Sequence, residues 1–577
     1  MTHRPRTVLR VTALAAAVAL SAGACAQIPQ SSTVRSDPAR DGAVQASDAP
    51  LYRPPGPAAD ADAEAIIRGF MLAGTGPQND YAVAREYLAG SAENDWDPGR
   101  RTVVYSSKPT ITRGAGEGAY QVQVEVESVV DEAGLRTMAP PGTTQAWNLT
   151  VQEIGGRPRI TGTDDGVLLS RSQFSQLYAP QALAFYDPTF TTVVPDVRWF
   201  VNRSTRVTAV TRALLQGPAP YLTGAVATAF PLRTGGDLTG PSVPVSPEGV
   251  ASVDLTAATV EGADAVGRHR MREQLRLSLE GISGITRVDV SVQGKAVVQD
   301  PAGGSPAPVQ VDPGPGSMQV GVDPATGQLV QFQDLTVTPV GGLPDLGAVR
   351  PVDPAMTVDR TGFAFLDPGR RRLQVARTDG SLRTALTGTD LTGPSVDPHG
   401  WVWTVERGAD SRIAAIPVQA AERPRVVTAP WLEEGEQIVD LRIGPAGARA
   451  ALIVDDGARR TLRVAGVVRG SDGVPSSLTE PMLLATAESP DLVRWVDSVT
   501  LVVTPVAPDA ETDVQPEIVP LAGGGRQLFP LAGVRGLSVG GTSSLYAETE
   551  DGVSLLVGSS WRAQELSQPV TDLAFPG

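Results

Sequence analysis

The chain has 577 residues, 48 basic and 63 acidic, for a net charge of −15, with 41% hydrophobic and only 5% aromatic side chains. That length implies several domains, and the acidic balance argues against nucleic acid as a partner and against a polybasic patch held to anionic lipid heads. One cysteine and three histidines exclude zinc or redox-metal sites built on clustered His and Cys, as well as Cys–His dyads.

Residues 1–24 read as an export signal. Arg4, Arg6 and Arg10 give a cationic start, and residues 11–22 are apolar, uncharged and too short to span a bilayer permanently. Ala22-Gly23-Ala24 then present small side chains to a peptidase immediately before Cys25, a pattern like a bacterial lipoprotein box with alanine in place of the more usual leucine. Cleavage after Ala24 makes Cys25 the expected lipidation site, an N-palmitoyl, S-diacylglycerol cysteine on the extracytoplasmic face of the cell membrane. Ordinary secretory cleavage is the alternative, but it leaves a lone thiol unexplained in an oxidising compartment. Loss of the leader leaves 45 basic against 63 acidic residues, a charge of −18. Attachment then depends on acyl chains, of which one alone binds marginally. No later apolar run approaches the roughly 20 residues of a membrane helix.

Residues 25–59 mix proline, serine, aspartate and alanine, and end in Tyr52-Arg53-Pro54-Pro55-Gly56-Pro57, a flexible tether with a stiff end. From Asp60 the spacing turns helical, with Ala63, Ile66, Ile67, Phe70 and Met71 on one face and Asp60, Asp62 and Glu64 near the positive end of the helix. A calcium loop from Asp60-x-Asp62 fails because Ala65 and Met71 stand where glycine and a bidentate glutamate are needed. A second helix is expected after a cap at Asp80, with Val83, Ala84, Tyr87 and Leu88 inward. Tyr120, Val122, Val124 and Val126 alternate with polar residues, and Trp147, Leu149 and Val151 repeat the period. Residues 60–182 therefore predict an α+β domain of two or three helices on a curved antiparallel sheet.

The next domain, residues 185–300, begins with a strand over 196–201, a cap at Ser204 or Thr205, and a helix carrying Val207, Val210, Ala213, Leu214 and Leu215 that stops at Gly217-Pro218. A strand over 249–255, a helix with Met271, Leu275, Leu277 and Leu279, and a strand over 288–292 complete a compact α+β module. Residues 301–317 are a linker by composition.

Beyond it, over 318–577, a unit of strand, turn and strand recurs every 40 to 50 residues. Met356-Thr357-Val358 pairs with 362–365, Pro394-Ser395-Val396 with 400–403, 441–443 with 450–453, 493–495 with 500–503, and 536–539 with 544–546. This is the spacing of four-stranded propeller blades, about six in the length available, although an array of sandwiches is the alternative because no Trp-Asp signature marks the blades. Residues 570–575 resemble an opening strand that would close the ring by pairing with the first blade.

Little catalytic apparatus remains. Gly536-Leu537-Ser538-Val539-Gly540 matches the G-x-S-x-G elbow, but no histidine follows His399 and the surroundings read as strand-turn-strand. His399 reads as a turn residue between blade strands, and His269, between Arg268 and Arg270, as part of a solvated helix face. Lys295 precedes Ala296, so no phosphate-cradling loop exists. Paired carboxylates, sufficient for a glycosidase, stay open among 63 acids, with no spacing that singles out a pair. The sequons at Asn148 and Asn202 matter only in a eukaryotic secretory pathway.

With Cys25, Val194-Pro195-Asp196-Val197-Arg198, Ala213-Leu214-Leu215-Gln216-Gly217-Pro218 and Gly249-Val250-Ala251-Ser252-Val253-Asp254-Leu255 in this order, the whole chain resembles the actinobacterial lipoprotein LpqB family. Its middle domain is similar to a GerMN module of spore-germination and sporulation proteins, its first domain to that family's cone-shaped fold, and its blades to that family's propeller. The resemblance implies a membrane-tethered, non-enzymatic accessory protein that binds the extracytoplasmic part of a sensor histidine kinase and modulates two-component signalling linked to envelope and division. It implies no catalytic residue, cofactor or metal, and carries over only Cys25 as the lipidated residue. Two other functions stand beside it: an envelope-polymer binder or carboxylate-dependent glycan hydrolase using the propeller channel, and a lipid or small-molecule carrier using the first domain's concave face.

Overall fold

The computed structural model describes residues 53–231, 236–297 and 307–577, apart from positions 334, 409, 420, 421 and 471. The leader and Cys25 lie outside the described residues.

In the first domain α1 (Ala63–Ala73) starts at Asp62, whose Oδ1 accepts from the Ala65 amide at 2.8 Å, and buries Ile66, Ile67, Phe70 and Ala73. The next helix, α2 (Ala82–Arg85), is a single turn. Asp80 does not cap it: residues 79–81 take left-handed backbone, Tyr81 stands at the cap without a side-chain bond, and the Asp80 carboxylate pairs with Arg85 instead. A further turn, α3 (Ala92–Asp95), delivers Trp96 edge-on to Phe70, ring centroids 5.1 Å apart.

The sheet contains β1 (Arg101–Tyr105), β2 (Thr110–Arg113), β3 (Ala119–Asp131), β4 (Arg136–Met138), β5 (Thr144–Ile154), β6 (Arg157–Thr163) and β7 (Val167–Ser170), in the order β6-β5-β3-β1-β7 with β2 and β4 also on β3. Alternation builds β3: Tyr120, Val122, Val124, Val126 and Val130 are buried, as are Trp147, Leu149 and Val151 on β5. The sheet is not wholly antiparallel, since β7 lies parallel to β1. The chain reaches that edge through Gly166, at φ +98°, where any Cβ would strike the Arg101 backbone. The short α4 (Arg171–Leu177) has a full capping box from Ser170 and Gln173. The proline end of the tether packs on this domain, with Pro54 buried and Tyr87 Oη donating to Pro55 O at 2.9 Å.

The second domain opens with the antiparallel pair β8 (Tyr178–Tyr186) and β9 (Val193–Val201), followed by α5 (Arg206–Gln216). Thr205 occupies the cap of α5 but makes no side-chain bond there; Gly217, at φ +105°, ends it. Then β10 (Val250–Leu255) runs parallel to β11 (Arg287–Val292), with α6 (Ala265–Leu279) as the crossover. Leu183, Phe185, Val210, Leu214, Val253, Leu275 and Leu279 share one core, whereas Leu277 packs with Tyr186 in a smaller cluster.

Six four- or five-stranded antiparallel sheets, with a small two-stranded one pairing Asp513–Val514 with Leu531–Ala532, follow in the described chain. The five strand-turn-strand units read from the sequence are the inner and second strands of blades two to six, whose inner strands are Val352–Met356, Ser395–Val396, Gln437–Ile443, Leu492–Asp497 and Val534–Val539. The first blade takes its innermost strand from the far end of the chain: Thr571–Ala574 pairs antiparallel with Gln319–Val322 and closes the ring. The structure is thus a propeller and not an array of sandwiches.

Candidate functional site

The inner strands enclose a cavity of about 1090 Å³ along the propeller axis. Its charged side chains come from inner strands, as with Asp353, Asp440, Arg442, Arg494 and Asp572, and from neighbouring segments, as with Arg370 and Glu548. Arg442 donates to Gly393 O at 2.8 Å and Pro394 O at 3.0 Å in the preceding blade, and lies 3.2 Å from Asp440. Arg494 donates to Asp440 at 2.8 Å behind it and to Leu537 O at 3.1 Å ahead of it. Arg370 pairs with Asp353 and donates to Leu391 O at 3.3 Å in the third blade. The guanidiniums therefore stitch neighbouring blades together through their fixed fork of donors. Burial, reinforced by Arg494, brings the Arg442 guanidinium down to about 10, against the pull of Asp440.

A second group of acids gathers where the ring closes. Glu548 of the sixth blade accepts from the Leu573 amide at 3.4 Å and lies beside the amide of Asp572. The Asp572 carboxyl lies beside the amide of Asp353 in the second blade. Asp353 and Asp572 both take left-handed backbone, φ +47° and +55°, at irregularities in their strand registers. Burial, then the Asp572 charge, pushes the Glu548 carboxyl up to about 7; burial, then Asp353, pushes Asp572 up to about 6.

One mouth of the cavity is bordered by residues 312–315. Gln310 is held between the Thr191 carbonyl and the Val193 amide, both at 2.8 Å, and Asp312 accepts from the Ser498 amide at 2.8 Å. This segment joins the second domain to the fifth blade, and more contacts follow the same line. Arg449, 2% exposed, donates to Pro195 O at 3.0 Å and to Ser498 O, and stacks on Trp495. Asp196 and Arg198, both buried, pair at 2.7 Å, and Asp196 also accepts from the Ala219 amide. Ala219, Tyr221 and Leu222 share a hydrophobic cluster with Ile453, Leu462 and Leu501 of the blades. Toward the first domain, Trp199 Nε1 donates to Ala522 O at 3.0 Å while Arg136 stacks on its ring.

Of the residues singled out in the sequence, Ser538 lies in this channel wall but is 3% exposed, on a strand, with its hydroxyl donating to Gln319 Oε1 at 2.5 Å. It is a bond between the sixth and first blades, not an elbow nucleophile. His399 sits in the turn between the first two strands of the third blade. Burial, then Arg469, lowers its pKa, and Asp397 and Asp187 oppose that shift. His269 is not on an open helix face: it is half-buried, with Nδ1 enclosed and without a hydrogen-bond partner. Cys25 lies outside the described residues. Among the described residues no group of three or more His, Cys, Asp or Glu is placed to hold a metal ion, and no helix is long and apolar enough to cross a membrane. In the first domain a cavity of about 10 Å³ lies between Phe70, Trp96, Trp147 and Leu168, room for about a single water.

Sequence reasoning found the closing strand but missed the seam acids and the arginine stitches. The residues are ordinary in spacing, and only the ring brings Glu548, Asp572 and Asp353 together.

Three family models match the chain: that of the lipoprotein LpqB N-terminal domain over residues 56–175, that of sporulation and spore germination over 177–298, and that of the lipoprotein LpqB beta-propeller domain over 327–572. The chain is 25% identical to lipoprotein LpqB of Bifidobacterium longum, across 80% of this chain and 79% of that one. It is 26% identical to lipoprotein LpqB of Rhodococcus jostii, across 86% and 85%. Among solved structures, TolB from Acinetobacter baumannii aligns with a TM-score of 0.32 at 15% identity, over 45% of this chain and 67% of that one.

Proposed function

The chain belongs to the lipoprotein LpqB family, and from that premise we propose a membrane-anchored accessory protein that acts by contact, binding the extracytoplasmic part of a sensor histidine kinase and modulating its two-component signalling. Anchoring is through Cys25, cleaved after Ala24 and acylated, with everything after it on the extracytoplasmic side. The observation that carries a binding role over a catalytic one is the commitment of the channel arginines to blade-to-blade bonds. The kinase enters by family resemblance. Photo-crosslinkers placed one at a time in the full chain, at exposed positions such as Glu93, Val245, Val358, Phe529 and Val557, should capture the kinase from at least one position in living cells. Failure at positions covering all three domains, with lipidation intact, overturns the reading.

A second reading is favoured by the convergence of Glu548 and Asp572 in the channel: an envelope-polymer binder or glycan hydrolase, with these carboxyls as its acid and base. Hydrolysis of purified wall glycans, lost in Glu548→Gln and Asp572→Asn, is its expected signature; an inert wild-type protein rejects the hydrolase.

A further inference from the structure

We propose that the propeller is closed by a proton-dependent latch, in which the carboxyls of Glu548 and Asp572 staple the closing strand Thr571–Ala574 to the blades on either side and loosen it when both are ionised.

The geometry comes first. The closing strand has one strand neighbour, Gln319–Val322, with partners at Val320↔Ala574 and Val322↔Thr571 and an irregularity between them. Its other edge faces the axis, so the backbone ladder alone holds it weakly. Two carboxyls flank it: Glu548 of the sixth blade accepts from the Leu573 amide at 3.4 Å, and Asp572, on the strand itself, lies beside the Asp353 amide of the second blade, with all three acids lining the one cavity. Both staples are side chains of the same charge type, and Asp353 adds a third carboxyl.

The cations nearby are engaged elsewhere. Arg370 pairs with Asp353, Arg442 and Arg494 with Asp440, and Arg535 with Glu550. From its other side Glu548 meets uncharged Gly536, and the Arg370 charge, paired with Asp353, opposes the upward shift of Asp572 without cancelling it.

The direction follows. The amide contacts favour the ionised form, but burial and the crowding of three carboxyls outweigh them, so both carboxyls stand above their ordinary range and the closed ring binds protons more tightly than the open one. Closure is favoured fully below the ordinary carboxyl range and loses support as the pH rises through about 6 and then about 7. On the outside of a membrane, where the pH is that of the surroundings, the channel wall would respond to it. The latch stands whether or not the kinase proposed above is the partner.

Hydrogen exchange of the full chain in detergent tests it. Protection factors for the amides of 571–574, corrected for intrinsic rates and referred to the second strand of the fourth blade, should fall by about tenfold or more between pH 5 and pH 8. In Glu548→Gln combined with Asp572→Asn the fall should vanish, because the Leu573 amide keeps an acceptor and neither side chain can ionise. A flat wild-type profile overturns the latch, and so does an undiminished fall in the double variant. Should the double variant not fold, Glu548→Gln alone must reduce the fall; an unchanged fall in it also overturns the proposal.

Discussion

Asp196 and Arg198 show how much a single buried pair can carry. Asp196 is fully buried and holds the Arg198 guanidinium through Nε and Nη2 together with the Ala219 amide, while Arg198 also donates to Gly217 O. Removing one partner strands the other charge in low dielectric. Asp196→Ala should therefore cost about 3–5 kcal/mol, read as a lower midpoint in denaturant with the slope unchanged. At this scale the sequence was legible where chemistry is a matter of inventory. The absence of any histidine after His399 already disqualified Ser538, and Asp62 announced its helix. It was not legible where a side chain chooses between local partners. Asp80 has the right type for a cap, but the left-handed run at 79–81 turns its carboxylate to Arg85. His269 lies among arginines in sequence while the fold encloses its Nδ1.

Among elements, the closing strand depends on fit as well as on polar staples. Val570, Leu573 and Phe575 are buried, and Gly321 lies so close that a Cβ there would meet Val570. Gly321→Val should push the strand off its neighbour, lowering the melting temperature and exposing the last residues to carboxypeptidase; an equally resistant C-terminus would show that the contact is dispensable. Glu548→Gln, by contrast, should leave the protein at least as stable at pH 8, since it deletes a charge that burial disfavours there; thermal melts at pH 5 and 8 compare the two. The inner and second strands of five blades were readable because their apolar runs sit beside turn residues. The outer strands were not, being as short as Arg526–Gln527 and facing solvent. The parallel placement of β7 was likewise hidden, because the order of strands in a sheet is set by crossovers and not by periodicity.

For the whole molecule, lipidation and rigidity make separate predictions. Cys25→Ser should move the protein from the membrane fraction to the soluble one and abolish palmitate labelling. A variant still anchored and labelled would refute the assignment. The three domains are distinct in sequence, yet polar bonds and a shared cluster run across their borders. The wild type should accordingly unfold in one calorimetric transition across the second domain and propeller, and Arg449→Ala should split it in two. None of this coupling was visible beforehand, because Arg449, Tyr221 and Ala522 are hundreds of residues from, or on the far side of a linker from, the groups they meet.

The segment around Gln310 gives that coupling a direction. It is gripped by β9 at one end and by the fifth blade at the other, beside the channel mouth. The middle domain and the rim of the ring thus share one strap, and a displacement of the former would have to strain or break these bonds before leaving the latter unmoved.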